Sequence, residues 1–228
     1  MRTTSWHERA AELTIDGRAF IDGKRVDARS GARFDCLSPV DGRMLAEVAR
    51  CDGADVDAAV ASARAAFDDR RWAGKAPAER KKILIRFADL ILAKRDELAL
   101  LETLHMGKPI RYSRSVDVPA AQNCIRWYGE AIDKLYDQIA PTAESSLALV
   151  TREPVGVVAA IVPWNYPMLM ASWKIGPALA AGNSLVLKPS EKSPLSALRL
   201  AELALEAGVP PGVFNVVPGF GDEAGRAL

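Results

Sequence analysis

Cysteine and histidine are scarce in this chain, and each scarcity excludes a kind of site. The three cysteines, Cys36, Cys51 and Cys124, are widely spaced and form no CxxC pair. This favours free thiols in a reducing cytoplasm over a disulfide scaffold. The two histidines, His7 and His105, argue against a histidine metal site. We interpret His105 as a surface or packing residue.

An excess of one charge and long apolar runs are also missing. The 228 residues include 30 basic and 29 acidic ones, for a net charge of +1, so neither nucleic acid nor an anionic membrane is indicated as a partner. No run reaches the length of a membrane span without a charge or a proline. Residues 1–13 lack the continuous apolar core of a secretory signal. We therefore expect a cytoplasmic protein whose partner is a small molecule.

Residues 155–191 contain two apolar runs, each followed by a polar cluster. Residues 155–162 are β-branched or small and end at a proline, which predicts a short strand buried on both faces. Residues 167–181 carry a single charge, which predicts a helix enclosed by other elements. Residues 184–187 predict the next strand. The order strand, helix, strand is a βαβ unit.

A polar cluster follows each of these two strands. The second cluster, KPSE at residues 188–191, leaves its strand at the carboxyl end, where open parallel sheets bind their ligands. Lys188 and Glu191 on their own would be a solvated surface pair, but in this position they are placed to hold a ribose. Asn165 follows the first strand. Its amide either caps the next helix or points into the cleft as a hydrogen-bond donor.

The residues before this unit predict small β elements and then helices. Two Asp-Gly turns between apolar residues predict hairpins. Apolar residues at helical spacing then predict four helices, the third capped by Asp96 and the last running from about Pro119 to Gln138. Residues 146–152 alternate and predict an edge strand, which a monomer would leave unpaired.

A third strand completes the predicted sheet. Ser193 is expected to cap, and Pro194 to open, a helix that ends near Gly208. Residues 213–217 predict the strand that follows it. The pattern βαβαβ, with right-handed crossovers, predicts the first half of a doubly wound parallel sheet, and hence an α/β fold.

Several segments are similar to one known family. The segments PWNYP, GPALAAGNSLVLKPSEKSP and EAGVPPGVFNVVPGFGDEAG resemble, in order and spacing, the cofactor-binding region of the NAD(P)-dependent aldehyde dehydrogenases, within a resemblance that covers residues 20–228. IRWYGEAIDKLYDQ and WKIGPALAAGNS most resemble the γ-glutamyl-γ-aminobutyraldehyde dehydrogenases of polyamine breakdown.

The resemblance implies a division of the chain as the N-terminal part of that fold. Residues 1–138 would form the hairpin and helical part of the cofactor-binding domain. Residues 139–154 would be an oligomerisation strand segment. Residues 155–228 would be an incomplete, Rossmann-like half-sheet that binds NAD.

The resemblance also implies roles for individual residues. Lys188 and Glu191 would bind hydroxyls of the adenosine ribose, and the carboxylate favours NAD because it repels the 2′-phosphate of NADP, although Lys188 softens that preference. Asn165 would be the side-chain donor of an oxyanion hole. The spacing of Gly219, Gly221 and Gly225 imitates a dinucleotide fingerprint weakly and is equally typical of a tight turn. The expected cofactor-binding residues are Ile161, Val162, Pro163, Trp164, Lys188, Ser190, Glu191, Gly221 and Gly225.

The chemistry of the family needs a cysteine nucleophile and a glutamate that activates water. The three cysteines precede the cofactor unit and lack the family's glycine-glutamine lead-in, so we assign none of them as the nucleophile. We therefore expect an N-terminal part, inactive on its own, of an enzyme that oxidises an aldehyde, with an aminoaldehyde favoured, to a carboxylic acid with NAD, or with NADP. The complete enzyme is expected to be a homo-dimer or homo-tetramer.

Two other functions remain open from the residues alone. The chain is alternatively a non-catalytic nucleotide-binding or assembly module that uses the edge strand near residues 147–151. It is alternatively one half of a split enzyme, completed by a second chain that carries the nucleophile.

Overall fold

The computed structural model describes residues 5–228. The first four residues, which belong to the segment interpreted as lacking a secretory signal, lie outside the described part. The strands are β1 (Ala19–Ile21), β2 (Lys24–Val26), β3 (Arg33–Leu37), β4 (Met44–Ala49), β5 (Gln138–Ala140), β6 (Ala148–Val150), β7 (Val157–Ile161), β8 (Ser184–Lys188) and β9 (Phe214–Val216).

Helices fill most of the remaining described chain. The α-helices are α1 (Trp6–Ala11), α2 (Gly53–Asp68), α3 (Pro77–Ala93), α4 (Arg95–Met106), α5 (Ile110–Tyr112), α6 (Val118–Ala131), α7 (Pro167–Ala180), α8 (Leu195–Ala207) and α9 (Ala224–Ala227). A π-helical turn, Ser113–Asp117, precedes α6, and a 3₁₀ turn, Ile132–Lys134, follows it. Among residues 5–228, no helix has the length and apolar composition needed to cross a membrane.

The main sheet has five strands in the order β2-β1-β9-β8-β7. Strands β7, β8 and β9 are parallel neighbours, which confirms the predicted βαβαβ arrangement. Strand β1 adds to β9 in antiparallel orientation, with Phe20 opposite Val216. The first hairpin was predicted, but its place in the sheet was not, because an Asp-Gly turn specifies local pairing and leaves the distant partner open.

Both Asp-Gly turns form as predicted. Asp22 (φ 53°) and Gly23 (φ 73°) are left-handed between β1 and β2, and Gly42 (φ 71°) is left-handed between β3 and β4. The buried Asn215 of β9 fastens the first turn, since its Oδ1 accepts a hydrogen bond from the Asp22 amide at 3.0 Å. Its Nδ2 donates to the Gly212 carbonyl at 2.7 Å.

Strand β8 lies at the centre of the packing and has helices on both faces. Leu185 and Leu187 belong to the larger apolar cluster, which includes residues of α3, α6, α7 and α8. Val186, between them, packs with α2 in a second cluster. All five residues of β8 are buried, as expected for a parallel strand covered on both sides. This confirms the α/β fold.

Strand β7 and helix α7 are less enclosed than predicted. Strand β7 is an edge strand with β8 as its neighbour, and its Ala159 and Ile161 are exposed. The prediction of a strand buried on both faces is therefore wrong for this chain. Helix α7 has the predicted extent, but Trp173 is 52% exposed on one face. The apolar composition of both segments could not reveal which of their faces would be covered.

Two helix boundaries also differ from the prediction. Asp96 does not cap α4, which begins after Lys94, and instead its carboxylate accepts hydrogen bonds from Arg9 and Arg114. Helix α6 ends at Ala131, although apolar periodicity had extended it to Gln138. The chain leaves the helix because Gln138 begins β5, which pairs with β6.

The predicted edge strand is β6, and it has a partner within the chain. Gln138 lies opposite Val150, and Ala140 opposite Ala148, in a two-stranded antiparallel ribbon. The ribbon is separate from the main sheet, and it leaves Ile139 and Leu149 71% and 62% exposed.

We expect Trp72 to be a main determinant of the stability of this core. Its side chain is fully buried, and its indole N–H donates to the Leu179 carbonyl at 2.9 Å. Trp72→Phe loses that hydrogen bond and leaves a cavity, so the free energy of unfolding in urea should fall by about 2 kcal/mol. Trp127→Phe, at a residue 62% exposed, is the matched control and should change stability by less than about 0.5 kcal/mol. Equal losses would contradict the assigned role of Trp72.

Candidate functional site

The loops that follow β7 and β8 meet at the carboxyl end of the parallel strands. Ile161 lies opposite Lys188 in the sheet, and the Val162 amide donates to the Lys188 carbonyl at 3.1 Å. Ser193 Oγ donates to the Trp164 carbonyl at 3.2 Å. The two predicted polar clusters are therefore brought to one edge of the sheet.

The role predicted for Ser193 as a helix cap is wrong. The N-cap residue of α8 is Pro194, and no side chain of that segment caps the helix. The Ser193 hydroxyl is instead bound to the neighbouring loop. A sequence signal for a cap cannot exclude a competing acceptor that only the fold brings near.

Lys188 is buried at this edge, with 2% of its surface exposed. Its ammonium donates to the Pro189 carbonyl at 2.8 Å. Burial lowers the pKa of the ammonium, and the negative charge of Glu191 opposes that effect. An ammonium has three N–H donors, and hydrogen bonds to residues 5–228 use one of them. A buried cation with unused donors favours a hydroxyl or anionic ligand.

Ser190 and Glu191 follow this lysine in the KPSE cluster. Ser190 is buried, its Oγ accepts from the Lys192 amide at 3.2 Å, and it donates to Glu191 Oε2 at 3.5 Å. Glu191 is partly exposed and lines a cleft of about 420 Å³. The cleft is also lined by Leu37, His105, Met106, Trp164 and Lys192.

The three glycines after β9 differ in how much space a side chain would have at each position. A Cβ on Gly225 would lie 3.4 Å from Cδ and Cε of Lys188, so this glycine borders the lysine stem. Gly221 is exposed, and a Cβ there would meet nothing within 4 Å. A Cβ on Gly219 would lie 2.6 Å from the Cys51 carbonyl oxygen. Gly219 thus fits the tight-turn interpretation of the glycine pattern.

The four residues predicted to line the cleft after β7 divide into two groups. Ile161 and Trp164 are each 55% exposed, and Pro163 is exposed as well. Val162 is 3% exposed, and its side chain belongs to the larger apolar cluster. Three of these four side chains therefore lie at the open sheet edge, and the fourth packs inward.

Asn165 is exposed beside this edge. The N-cap position of α7 is Tyr166, and no side-chain hydrogen bond caps that helix from its own segment. The alternative in which Asn165 caps α7 is therefore wrong. Within residues 5–228 its amide makes no hydrogen bond, and so its N–H donors are available to a ligand.

Tyr166, next to Asn165, has an unusual backbone conformation that a neighbouring segment supports. Its φ of 53° is left-handed, which is uncommon for a residue other than glycine. Lys108 Nζ lies 3.8 Å from the Tyr166 ring centroid and donates to Asp117 Oδ2 at 2.6 Å. Burial raises the pKa of Asp117, whereas Lys108 acts to lower it. Asp117 ends a π-helical turn, a feature frequent at functional sites, which the sequence pattern did not reveal.

A second cleft, of about 400 Å³, lies between α6 and α7. It is lined by Cys124, Trp127, Tyr128, Trp173 and Lys174. Trp173 of α7 is 52% exposed in this cleft. The sequence pattern did not predict this cleft, because its aromatic residues come from two helices that are distant along the chain.

The three cysteines are free thiols, as expected. Cys36 and Cys51 are buried, and burial raises the pKa of Cys36 to about 12. Burial also raises the pKa of Cys124 at the second cleft, where a hydrogen bond with Ser172 opposes the effect. A raised thiol pKa disfavours the nucleophilic thiolate, which supports assigning none of these cysteines as the nucleophile.

We expect Lys188 to lower stability at neutral pH. Because burial lowers its pKa, the unfolded chain binds more protons between that lowered value and the ordinary 10.5, and stability of the native chain should rise with pH across this window. Lys188→Met should remove this rise. Its free energy of unfolding should exceed that of the native chain at neutral pH, and the two values should converge above pH 10.5. Urea unfolding across this pH range measures the effect. Lys192→Met, in the same loop but exposed, is the control, and parallel curves for the native chain and Lys188→Met would contradict the expectation.

Comparison with known proteins shows similarity along almost the whole chain. A family model described as the aldehyde dehydrogenase family matches residues 26–228. The NADP/NAD-dependent aldehyde dehydrogenase PuuC of Escherichia coli (strain K12) is 55% identical over 223 residues, which are 98% of this chain and 45% of PuuC. The aminoacetaldehyde dehydrogenase of Pseudomonas aeruginosa is 54% identical over 96% of this chain and 44% of its own length. The chain thus spans less than half the length of these relatives.

Solved structures give the same result. Indole-3-acetaldehyde dehydrogenase AldA of P. syringae, in complex with NAD+ and IAA, matches with a TM-score of 0.97 and 62% identity over 98% of this chain and 45% of that one. The γ-glutamyl-γ-aminobutyraldehyde dehydrogenase of Burkholderia cenocepacia matches with a TM-score of 0.96 and 62% identity, with the same coverage. The fold is the N-terminal part of the aldehyde dehydrogenase fold, as predicted. Since the family model matches residues 26–228, this chain belongs to the aldehyde dehydrogenase family.

Proposed function

We propose that this chain provides the cofactor-binding part of an enzyme that oxidises an aldehyde to a carboxylic acid with NAD(P)+. The preferred substrate is an aminoaldehyde derived from polyamines. The observation that carries the proposal is the meeting of Asn165 and the buried Lys188 at one end of parallel strands. The names of the aminoacetaldehyde and γ-glutamyl-γ-aminobutyraldehyde dehydrogenases support the substrate class.

The residues at the sheet edge fit a dinucleotide. The Lys188 ammonium, the Ser190 hydroxyl and the Glu191 carboxylate supply donors and acceptors for ribose hydroxyls. Gly225 borders the lysine stem, and Gly221 has open space around its Cα. The exposed Ile161, Pro163 and Trp164 and the backbone of Val162 form the wall of this site. When bound, NAD(P)+ accepts a hydride from the substrate.

Asn165 acts as the oxyanion donor in this proposal. Its exposed amide lies in the loop after β7 and makes no hydrogen bond to the described residues, so no acceptor among them competes for its N–H groups. A side-chain donor at an oxyanion contributes about 10² to 10³ in rate. The left-handed Tyr166, held by Lys108, sets the backbone on which this amide stands.

The cleft between α6 and α7 accommodates the carbon chain of the aldehyde. Two of its lining residues lie on α7, the helix that follows Asn165. Its aromatic side chains, Trp127, Tyr128 and Trp173, suit methylene groups. A lysine, Lys174, at its border favours a substrate with a carboxylate or carbonyl at the far end, such as a γ-glutamyl group.

Assembly and location complete the proposal. Residues 1–138 and 155–228 form the cofactor-binding part, and residues 139–154 join subunits of a dimer or tetramer through the β5–β6 ribbon. The exposed Ile139 and Leu149 support this role, since apolar side chains on an exposed ribbon favour pairing with another chain. The free thiols support a cytoplasmic location.

We expect Glu191→Gln to change the preference between the two cofactors. Removing the carboxylate removes its repulsion of a 2′-phosphate, so the ratio of the Kd for NADP+ to the Kd for NAD+ should fall by about tenfold, the effect of roughly 1.4 kcal/mol. Isothermal titration of both cofactors measures the ratio. Glu206→Gln, at an exposed position of α8, is the control. An unchanged ratio in Glu191→Gln would argue against a ribose site at this loop.

We expect the chain to be active once joined to the rest of a relative. A chimera in which residues 1–228 replace the matching part of the γ-glutamyl-γ-aminobutyraldehyde dehydrogenase of Burkholderia cenocepacia should oxidise γ-glutamyl-γ-aminobutyraldehyde, as measured by the absorbance of NADH. The chain by itself should show no activity. Asn165→Ala in the chimera should lower kcat by about 10² to 10³ and leave NAD+ affinity unchanged. Asn123→Ala, an exposed asparagine on α6, is the control.

The outcomes of this experiment separate the possible functions. Turnover by the chain without the Burkholderia cenocepacia portion would mean that one of its three cysteines acts as the nucleophile. A silent chimera that still binds NAD+ would favour a non-catalytic nucleotide-binding module. Full activity of Asn165→Ala would refute the oxyanion role.

A further inference from the structure

We propose that Glu102 and His105, one turn apart on α4, are positioning residues that cap α7 and α8 jointly. They thereby hold the Asn165 loop and the KPSE loop in a fixed relation. The consequence for cofactor binding rests on the proposed function, whereas the hydrogen bonds that carry the inference do not.

Glu102 caps α7 from a different element. Its side chain is fully buried, and its Oε1 accepts a hydrogen bond from the Met168 amide at 3.2 Å. Met168 is the second residue of α7, which no side chain of its own segment caps. The first four N–H groups of a helix have no partner within the helix, and a negative charge is favoured at that end. The carboxylate of Glu102 supplies both a hydrogen-bond acceptor and a negative charge at the start of α7.

His105 does the same for α8. It is 3% exposed, and its Nδ1 accepts from the Leu195 amide at 3.3 Å. Leu195 is the first residue of α8, and that helix also lacks a side-chain cap from its own segment. Since Nδ1 accepts, the neutral ring carries its proton on Nε2. That nitrogen lies 3.3 Å from Glu102 Oε1 and donates to it.

A continuous chain of hydrogen bonds thus connects the starts of two helices, from the Leu195 amide through His105 and Glu102 to the Met168 amide. Each helix follows one loop of the candidate site. Strands β7 and β8 hold the first end of each loop, and the Glu102–His105 pair holds the second. Ser193, bound to the Trp164 carbonyl, ties the loops together between these two points.

The cost of this pair argues against a role in packing alone. Glu102 Oε2 has no hydrogen-bond partner among the described residues, and an unpartnered buried carboxylate oxygen lowers stability. An apolar pair of similar volume would fill the same space without that cost. What an apolar pair could not do is bind the amides of Met168 and Leu195.

Four substitutions separate the individual bonds. Glu102→Gln keeps an acceptor for both partners, whereas Glu102→Met keeps the volume and loses both bonds. In His105→Asn the side-chain oxygen takes the place of Nδ1, so the bond to Leu195 is kept and that to Glu102 is lost. In His105→Gln the amide nitrogen takes the place of Nε2, so the reverse holds. Leu98→Ala, a fully buried leucine on the same helix, is the control for a general loss of stability.

Amide hydrogen exchange in the 228-residue chain tests the caps without any cofactor. Relative to the Ala171 and Leu198 amides, protection of the Met168 amide should fall by about tenfold or more in Glu102→Met and stay within about threefold in Glu102→Gln. Protection of the Leu195 amide should fall in His105→Gln and persist in His105→Asn. Leu98→Ala should lower the protection of the Met168, Leu195, Ala171 and Leu198 amides to the same extent. Unchanged relative protection in Glu102→Met would overturn the inference.

The link between the loops is tested by the amide resonances of Asn165 and Ser190. Glu102→Met, which removes the bonds to Met168 and to His105, should shift both resonances. In Glu102→Gln both should keep their native positions. The Kd for NAD+ should rise by about three- to tenfold in Glu102→Met and in His105→Gln. In the double variant the rise should be smaller than the product of the two single fold-changes, because the two residues act through one chain of hydrogen bonds. Loss of cap protection with unshifted resonances and unchanged Kd would overturn the positioning role. If the native chain binds no NAD+, the proposed function fails, and exchange and resonances still decide the inference.

Discussion

The parallel pairing of β7 with β8 is the constraint on which the candidate site depends. Parallel strands end at the same edge of a sheet, so the pairing of Ile161 with Lys188 brings two polar loops together that are separated by a helix in the chain. The helices on both faces of β8 bury that strand completely. The lysine at its end is consequently buried as well, and its charge is held in place by the strand rather than by a flexible loop.

Much of the polar chemistry around this edge opposes stability. Lys188 is a buried cation with a lowered pKa, Tyr166 is left-handed, and Glu102 and Asp117 each keep a buried carboxylate oxygen that lacks a partner among the described residues. Each of these features costs free energy. They lie around the two site loops, whereas the surrounding helices pack through apolar residues. This distribution is the one expected where stability has been exchanged for a defined geometry.

Local signals predicted most elements of the fold, because their causes are local. The Asp-Gly turns predicted both hairpins, apolar periodicity predicted α2 and α3, and a nearly uncharged apolar segment predicted α7. The errors fall where a distant partner decides. Gln138 leaves the helical periodicity of α6 because it pairs with Val150, and the Ser193 hydroxyl leaves the helix start because the Trp164 carbonyl lies near it. The addition of β1 to β9 depends on residues almost the whole chain apart.

The sequence by itself determined the family, the order of strands and helices in the βαβαβ unit, and the two polar clusters at its strand ends. These depend on residue type and short spacing. Only the tertiary structure decided which faces of β7 and α7 stay exposed, that Asn165 is no helix cap, and that Glu102, His105, Lys108 and Asp117 lie behind the site loops. The physical reason is that each of these depends on which atoms meet across the core, and such meetings leave no periodic trace along the chain.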